Sequence, residues 1–144
     1  MVSEQEQANI DLVRRWYEEG WQQRNFDLVD EIFSPDFRAV GGASGNTDRL
    51  GYKIYLERIL VMNPDFETEI VQITGAGDIV VIETRNRGTH TGMVQGYAPT
   101  GQKFDVVVVD LWQVRDGKLV FRENADFDTI KLREDLGFVP RFQQ

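Results

Sequence analysis

The amino-acid sequence predicts an α+β fold in which helices come first and a sheet of hairpin-linked strands follows. In the first third of the chain, apolar residues recur every three or four positions, which is the period of an amphipathic α-helix. From residue 65 onward the pattern changes to alternation, and short turn sequences separate the alternating runs. Helices followed by a run of strands favour an antiparallel sheet that the helices cover on one face.

Two helices are expected before residue 34. The first carries its apolar periodicity over residues 10–21, and Ser3 with Glu6 fits a capping box at its start. The second is short and is predicted over residues 26–33. It is expected to end there because Pro35 disfavours helical geometry in the residue before it.

A third helix is predicted within residues 46–65, with Asn46 or Thr47 as its cap and Pro64 beyond its end. Four of its apolar residues are spaced to face the core: Leu50, Ile54, Ile59 and Leu60. A last helix is predicted over residues 129–137, where Gly137 is a suitable C-terminal stop.

Between the third and last helices, alternation and turn signals divide the chain into strands. The predicted strands cover residues 66–73, 79–90, 92–102, 103–114 and 119–127. Glycines and a proline interrupt the third of these strands. Tight turns are predicted at residues 75–78 and 115–118.

The strand over residues 103–114 is apolar on both faces, unlike an antiparallel strand that has one face in water. One face carries Val106, Val108 and Trp112, whereas Val107 lies on the other. We therefore expect a central strand that is covered twice, by the helices on one side and by a second subunit on the other. The expected assembly is a homodimer.

Composition and charge restrict the class of protein. The 144 residues fit one domain, 1–144, and 41% hydrophobic residues suffice for a core. The net charge of −8 argues against nucleic-acid binding, and no apolar run is long enough for a membrane span or a signal core. The chain has no cysteine, which fits a reducing compartment, so we expect a cytoplasmic protein with no membrane or nucleic-acid partner.

Four polar residues near the end of the predicted sheet share one strand face by period two: Arg122, Asn124, Asp126 and Asp128. If this face is concave, a guanidinium, an amide and two carboxylates converge in a pocket. Desolvation by aromatic neighbours raises the pKa of a carboxyl until it exchanges protons near neutral pH. Asp128 also directly precedes the predicted last helix, so it is equally suited to cap that helix.

Asp110 lies on an otherwise apolar strand face, two residues before Trp112. Because a lone charge there is costly unless it is paired, Asp110 is either a pocket carboxylate or the partner of Arg85 or Arg122 on a neighbouring strand. Trp112 is expected to form core or pocket wall. Tyr17, on the first helix, could offer its hydroxyl to a substrate carbonyl.

His90 is the only histidine, and it lies in the glycine-rich segment "RGTHTG". A free imidazole titrates near pH 6.5, so His90 could exchange a proton at working pH. The alternative is a turn histidine that bonds to local backbone. One histidine, no cysteine and acids without metal-ligand spacing predict no metal site.

Several short motifs follow one another along the chain: "GDIVV", "GTHTG", "PTG", "DGK" and "LREDLG". Together they resemble the SnoaL-like polyketide cyclase (ester cyclase) family of the NTF2-like superfamily, over roughly residues 10–137. The resemblance implies a cone in which three N-terminal helices lie across a strongly curved antiparallel sheet and enclose an apolar pocket. It also implies a homodimer formed through the outer sheet face, a small apolar substrate and no cofactor.

The resemblance further implies an intramolecular aldol condensation in which a pocket aspartate is acid and base, often with histidine nearby. Asp128 takes that position, with His90 assisting. Asp126 is the alternative, because the last strand is one residue longer than the family pattern. The residues expected to contact the substrate are Asp126, Asn124, Asp110, Trp112, Arg85 and Tyr17. The chain departs from the pattern in having "RAV" after "PDF", "FRENA" on the last strand, and Glu83 where many relatives have arginine.

Three functions are therefore weighed. The first is a cofactor-free cyclase or isomerase of a small, mostly apolar carbonyl compound, polyketide-like or an ester, with Asn124 or a tyrosine holding the enolate oxygen. The second, less favoured, is an epoxide hydrolase of the limonene type, because residues 85–87 lack the Arg-x-Asp of that chemistry. The third is a non-catalytic small-molecule-binding dimer, which the missing family histidines favour.

Overall fold

The fold is given by a computed structural model that describes residues 2–42, 44–93, 96 and 98–124. The helices are α1 (Glu4–Arg15), α2 (Leu28–Ile32) and α3 (Arg49–Met62), and a π-helical segment (Trp16–Gln22) continues α1. The strands are β1 (Phe33–Val40), β2 (Thr47–Asp48), β3 (Glu67–Ala76), β4 (Ile79–Thr89), β5 (Lys103–Arg115) and β6 (Lys118–Asn124). One six-stranded sheet has the order β2–β1–β6–β5–β4–β3, and the helices pack against it. The predicted α+β class, with three helices against a sheet, is confirmed.

The prediction of a wholly antiparallel sheet is wrong at one pair, because β1 and β6 run parallel. The other neighbouring pairs are antiparallel. Strand β1 begins directly after the short α2, so the stretch around Pro35 is strand and not the end of a helix. Pairing with β6 is irregular between Phe33 and Arg38, and a proline, which cannot donate to a ladder, is tolerated in such a stretch.

The start of α1 has the predicted capping box. Ser3 Oγ accepts a hydrogen bond from the Glu6 backbone nitrogen at 3.1 Å, and the Ser3 backbone nitrogen donates to Glu6 Oε1 at 2.8 Å. Glu6 Oε2 accepts from the Gly77 backbone nitrogen at 2.8 Å. The first turn of α1 is therefore tied to the β3–β4 turn, which fixes the helix on the sheet.

The third helix starts later than predicted, and its buried residues also differ from the predicted ones. Its cap is Asp48, whose Oδ1 accepts from the Gly51 backbone nitrogen at 2.9 Å. Leu50 and Ile54 were expected to face the core but are 66% and 47% exposed. The buried positions are Tyr52 and Leu56, which lie four residues apart on the face that meets the sheet, while Ile59 and Leu60 are half-buried.

The core between helices and sheet is largely aromatic. Phe33 on β1 lies 4.9 Å from the Trp16 ring, 4.6 Å from Phe37 and 5.7 Å from Trp112, centroid to centroid, mostly edge to face. All four rings are buried. Since each well-oriented pair contributes about 0.5–1.5 kcal/mol beyond area burial, this cluster holds the π-helical segment, β1 and β5 in fixed positions.

The segment after β4 is a loop in the residues that are described, not the broken strand predicted over residues 92–102. The backbone nitrogens of Thr91 and Gly92 donate to the Met62 carbonyl at 3.2 and 3.0 Å. A Cβ on Gly92 would lie 1.6 Å from the carbonyl oxygen of Val61, so only glycine permits this approach. The loop is thereby attached to the C-terminal end of α3.

Strand β5 is central, as predicted, and lies between β4 and β6. On its inner face Asp110, Trp112 and Val114 are buried, whereas Val107 on its outer face is 47% exposed. No helix in the described part of the chain is long and apolar enough to cross a lipid bilayer. The helix predicted over residues 129–137 lies outside the described residues.

Candidate active site

A cavity lies between the helices and the inner face of the sheet. Its volume is about 110 Å³, well below the roughly 300–1,000 Å³ of drug-sized ligand sites, so it suits a small molecule. Aromatic and aliphatic residues share its wall with polar ones: Tyr17, Trp21, Tyr52, Tyr55, Ile59, Phe66, Thr68, Thr84, Asn86, Val108, Asp110, Arg122 and Asn124. The polar groups are the candidates for chemistry.

A buried carboxylate, Asp110, is the centre of these polar groups. Arg122 Nη2 donates to Asp110 Oδ1 at 2.9 Å, and the Tyr17 hydroxyl donates to Oδ2 at 2.8 Å. The Asn124 side chain makes a further hydrogen bond to the carboxylate. Both members of the Asp110–Arg122 pair are buried, with side chains only 7% and 8% exposed. Strand β5 supplies Asp110, and the neighbouring strand β6 supplies both Asn124, which lies directly opposite Asp110, and Arg122.

Burial controls the protonation of this centre. Desolvation raises the pKa of Asp110 above its ordinary value, and the Arg122 charge with the Tyr17 hydrogen bond offsets only part of that rise. Burial, and then the neighbouring Asp110 charge, raise the pKa of Tyr17 well above its ordinary value. Tyr17 is therefore a neutral phenol whose proton is available for the hydrogen bond to Asp110.

The π-helical segment explains how Tyr17 reaches Asp110. A π-helix, with its i→i+5 hydrogen bonds, is wider than an α-helix and is frequently found at functional sites. The Tyr17 hydroxyl accepts a hydrogen bond from Trp112 Nε1 at 3.1 Å, and its ring lies edge to face on that indole at 6.1 Å. Gly20 allows Trp16 to pack inside the segment, since a Cβ there would lie 2.4 Å from the Trp16 ring. The hydroxyl of Tyr17 is thus fixed from two sides.

Arg122 is held by more than its carboxylate partner. Its guanidinium carbon lies 5.3 Å from the centre of the Tyr52 ring, which is a cation–π contact, and Nη1 donates to Ser44 Oγ at 3.3 Å. Its Nε is buried and has no hydrogen-bond partner among the described residues. Burial raises the pKa of Tyr52 and Tyr55, so both cavity tyrosines stay protonated.

The structure brings together five of the residues that the sequence singled out: Tyr17, Asp110, Trp112, Arg122 and Asn124. The partner of Asp110 is Arg122 and not Arg85. Arg85 is on the outer face of β4, where it binds Asp105 through two contacts of 2.7 Å, so it does not line the cavity. The structure therefore does not support substrate contact by Arg85.

Asp126 and Asp128, the two candidate carboxylates after β6, lie outside the described residues.

His90 is bonded within its own loop. Its Nδ1 lies 3.1 Å from Thr100 Oγ1, its backbone nitrogen donates to the Gln102 carbonyl, and its carbonyl accepts from Gly101. It is absent from the wall of the cavity formed by the described residues. This is the arrangement of the turn histidine that the sequence left as an alternative. A catalytic part for His90 stays a prediction.

Several cavity residues were not predicted as site residues, notably Thr84, Asn86 and Phe66. A signal for the first two was present, because they continue the inward phase of β4 that buries Val80 and Ile82. In the described part of the chain, no cluster of three or more histidine, aspartate and glutamate side chains is arranged to hold a metal ion.

Comparisons with known proteins identify the family to which this fold and its buried polar centre belong. The model of the SnoaL-like polyketide cyclase family matches residues 11–135, so the chain belongs to that family. None of the curated proteins compared with the chain matches it.

Solved structures agree with this assignment. A candidate SnoaL-like polyketide cyclase from Jannaschia sp. CCS1 is similar with 25% identity and a TM-score of 0.80, over 97% of this chain and 99% of that one. IdmH from Streptomyces antibioticus, a candidate polyketide cyclase, has 25% identity and a TM-score of 0.69, over 90% and 98%. AclR from Streptomyces galilaeus, a candidate hydroxylase, has 22% identity and a TM-score of 0.73, over 96% and 87%, and shows the shared fold alone.

Proposed function

We propose that this protein is a cofactor-independent cyclase or isomerase of a small, mostly apolar carbonyl compound, polyketide-like or an ester, and that it acts by acid/base catalysis from a pocket carboxylate. The observation that carries the proposal is the environment of Asp110. Its carboxyl lies in a small aromatic cavity where burial raises its pKa, which brings it toward the range in which a general acid or base is effective. Membership of the family and the similarity to candidate cyclases support the same reaction class.

The proposed reaction moves one proton and forms one bond. Asp110 takes a proton from the carbon next to a substrate carbonyl, and the electron pair of that C–H bond forms an enolate. The enolate carbon attacks a second carbonyl of the same molecule, and the resulting alkoxide takes the proton back from Asp110. In an isomerisation the proton returns to a different carbon instead. Nothing is oxidised or reduced, so the cycle needs no other reactant.

The neighbours of Asp110 have supporting parts in this proposal. Arg122 stabilises negative charge as it moves from the carboxylate to the enolate, because a fixed cation in a water-poor cavity acts more strongly than one in water. Tyr52 and Tyr55 stay protonated and line the cavity, so they are suited to hold the enolate oxygen together with Asn124. Asp128, with His90 assisting, stays the catalytic prediction made from the family pattern.

The test measures proton transfer on simple probes. Wild-type protein in D₂O is expected to accelerate deuterium uptake next to the carbonyl of cyclohexanone and the closure of heptane-2,6-dione to a six-membered ring. Asp110→Asn should lose at least about 100-fold of either rate, which is the usual contribution of a general acid or base. Asp105→Asn is the matched control, since it removes the aspartate of an exposed Asp–Arg pair on the same strand.

Three results would separate the alternatives. If wild type accelerates neither reaction and still binds the probes, the non-catalytic binding function is correct. If Asp110→Asn behaves like wild type, the proton is not moved by Asp110. If Asp128→Asn loses the activity while Asp110→Asn keeps it, the catalytic carboxylate is Asp128.

A second candidate, epoxide hydrolysis, is favoured by the buried Asp110–Arg122 pair beside Tyr17. In that reaction Asp110 would take a proton from water, the hydroxide would attack an epoxide carbon, and the opened oxygen would receive a proton from Tyr17. The diol formed from cyclohexene oxide distinguishes this chemistry from the carbonyl reactions. Hydrolysis above the buffer rate that disappears in Asp110→Asn would favour it.

We also propose that two chains associate through the outer sheet face. Val107 is 47% exposed there, and Val81, Val109, Leu111 and Phe121 are half-buried on the same face. Light scattering should report a dimer that Val107→Lys weakens. A monomer mass for wild type at micromolar concentration would contradict it. A cytoplasmic location stays a prediction.

A further inference from the structure

Two polar groups in the cavity wall have no hydrogen-bond partner among the described residues. One is Nε of Arg122, and the other is Oδ1 of Asn86. Arg122 as a whole is only 7% exposed, so its Nε–H has no access to bulk water. A buried donor or acceptor without a partner costs free energy, and a native structure retains one where a ligand or an ordered water completes it.

The two groups lie toward different ends of one cavity. The Arg122 guanidinium contacts Asp110 on β5. Asn86 on β4 faces Val106, which is four residues before Asp110 on the same strand face. At about 3.3 Å per residue, the levels of Asp110 and Asn86 are separated by roughly 13 Å. Between these levels the sheet side of the wall carries Val108 and Thr84, which lie opposite each other on β5 and β4.

This spacing limits the ligand. Because Arg122 and Asn86 line one cavity from different levels of the sheet, a ligand that bonds both groups has its polar atoms at two ends. The cavity volume of about 110 Å³ is below the roughly 150 Å³ of a cavity that holds benzene. The body of the ligand is therefore at most about one ring.

We propose that the substrate of this site carries an oxygen function at each of two ends of a small apolar body, and that Asn86 is the specificity residue for the second oxygen. The first oxygen is the reacting carbonyl, which meets Arg122 beside Asp110. The second is a hydroxyl or carbonyl, and an amide suits both because it donates and accepts. Asn86 touches no reacting atom, so its effect is on binding. This inference rests on the proposed function for the assignment of the reacting end.

Binding of two matched probes tests the inference without turnover. Cyclohexanone has one oxygen, and 4-hydroxycyclohexanone adds a second on the opposite carbon. Dissociation constants come from ligand-observed NMR titrations. Wild type is expected to bind the hydroxylated probe about tenfold more tightly or better, which corresponds to about 1.4 kcal/mol. A site that is built to bond a hydroxyl strongly disfavours the analogue without it.

Variants assign the preference to Asn86. Asn86→Leu should remove the preference and leave binding of cyclohexanone unchanged or tighter. Gln72→Leu is the matched control, because it replaces an exposed amide on β3 and should keep the wild-type preference.

The inference is overturned if wild type binds both probes equally, if the hydroxylated probe shows no saturable binding, or if a folded Asn86→Leu keeps the preference. The wild-type comparison needs no variant, so it decides the substrate class even where Asn86→Leu is unstable. A preference without any proton exchange supports this inference and contradicts the proposed function. Proton exchange without a preference for the hydroxylated probe supports the proposed function and contradicts this inference.

Discussion

Removal of Arg122 is the sharpest test of the buried polar centre. In Arg122→Leu, the Asp110 carboxylate stays buried but loses the guanidinium that contacts it at 2.9 Å. Breaking a buried ion pair on one side typically costs about 3–5 kcal/mol, because a charge is left without compensation. With an m-value near 2 kcal/mol per molar urea, a loss of about 4 kcal/mol lowers the unfolding midpoint by roughly 2 M.

The control is a chemically similar pair at the surface. Arg85 binds Asp105 through two short contacts, but both side chains are nearly half exposed. Arg85→Leu should change the urea midpoint little, because water and salt screen an exposed pair. The double variant Asp110→Asn/Arg122→Leu should recover much of the stability lost in Arg122→Leu, since it buries no charge.

At acid pH the difference in free energy of unfolding between Arg122→Leu and wild type should also be smaller. Without Arg122 the pKa of Asp110 in the folded state rises further. Ionising the buried carboxyl therefore lowers the free energy of unfolding of the variant more than that of wild type as pH increases from about 4. The reasoning is refuted if Arg122→Leu costs no more than Arg85→Leu, or if its deficit is the same at acid and neutral pH.

Three further predictions follow from single contacts. Because burial raises the pKa of Asp110, the free energy of unfolding of wild type is highest below the ordinary pKa of 3.8 and falls as pH rises through the pKa of the folded state. In urea titrations, the stability of Asp110→Asn should therefore increase relative to that of wild type as pH increases. A difference that does not change with pH would contradict this. Tyr17→Phe removes a donor to Asp110 and an acceptor for Trp112, and should lower the free energy of unfolding by about 1–3 kcal/mol, whereas an unchanged urea midpoint would exclude this network. Gly92→Ala places a Cβ against the Val61 carbonyl and should lower the melting temperature and speed exchange of the Thr91 amide; unchanged protection would show that the loop is not held there.

The helical half of the fold followed from local signals. The capping box at Ser3 and Glu6 requires only neighbouring residues, and the structure has it. The burial of α3 was harder, because its true cap, Asp48, lies next to two other good capping residues. The helix carries apolar side chains on more than one face, so spacing alone did not show that Tyr52 and Leu56, and not Leu50 and Ile54, meet the sheet.

The sheet and the site depended on information of longer range. Alternation of apolar and polar residues identified β5 and its inward Asp110. It does not show which strand pairs with β1, so the parallel pairing with β6 was missed. The choice of Arg122 over Arg85 depends on which neighbouring strand presents its cation on the inner face. The contribution of Asn86 depends on an unpaired atom, which a residue pattern does not reveal.

The parallel pairing of β1 with β6 has a consequence for how the protein is made. The Tyr17–Asp110 contact joins residues 93 positions apart, and Arg122 reaches Asp110 only after β6 has entered the sheet beside β1. Such distant pairings slow folding, because a long loop must close before any contact stabilises it. During synthesis α1, α2, α3 and β1 leave the ribosome before β6, the last strand in the described part of the chain. Until β6 docks, Asp110 lacks its counter-ion Arg122, so the buried polar centre becomes stable only after that step.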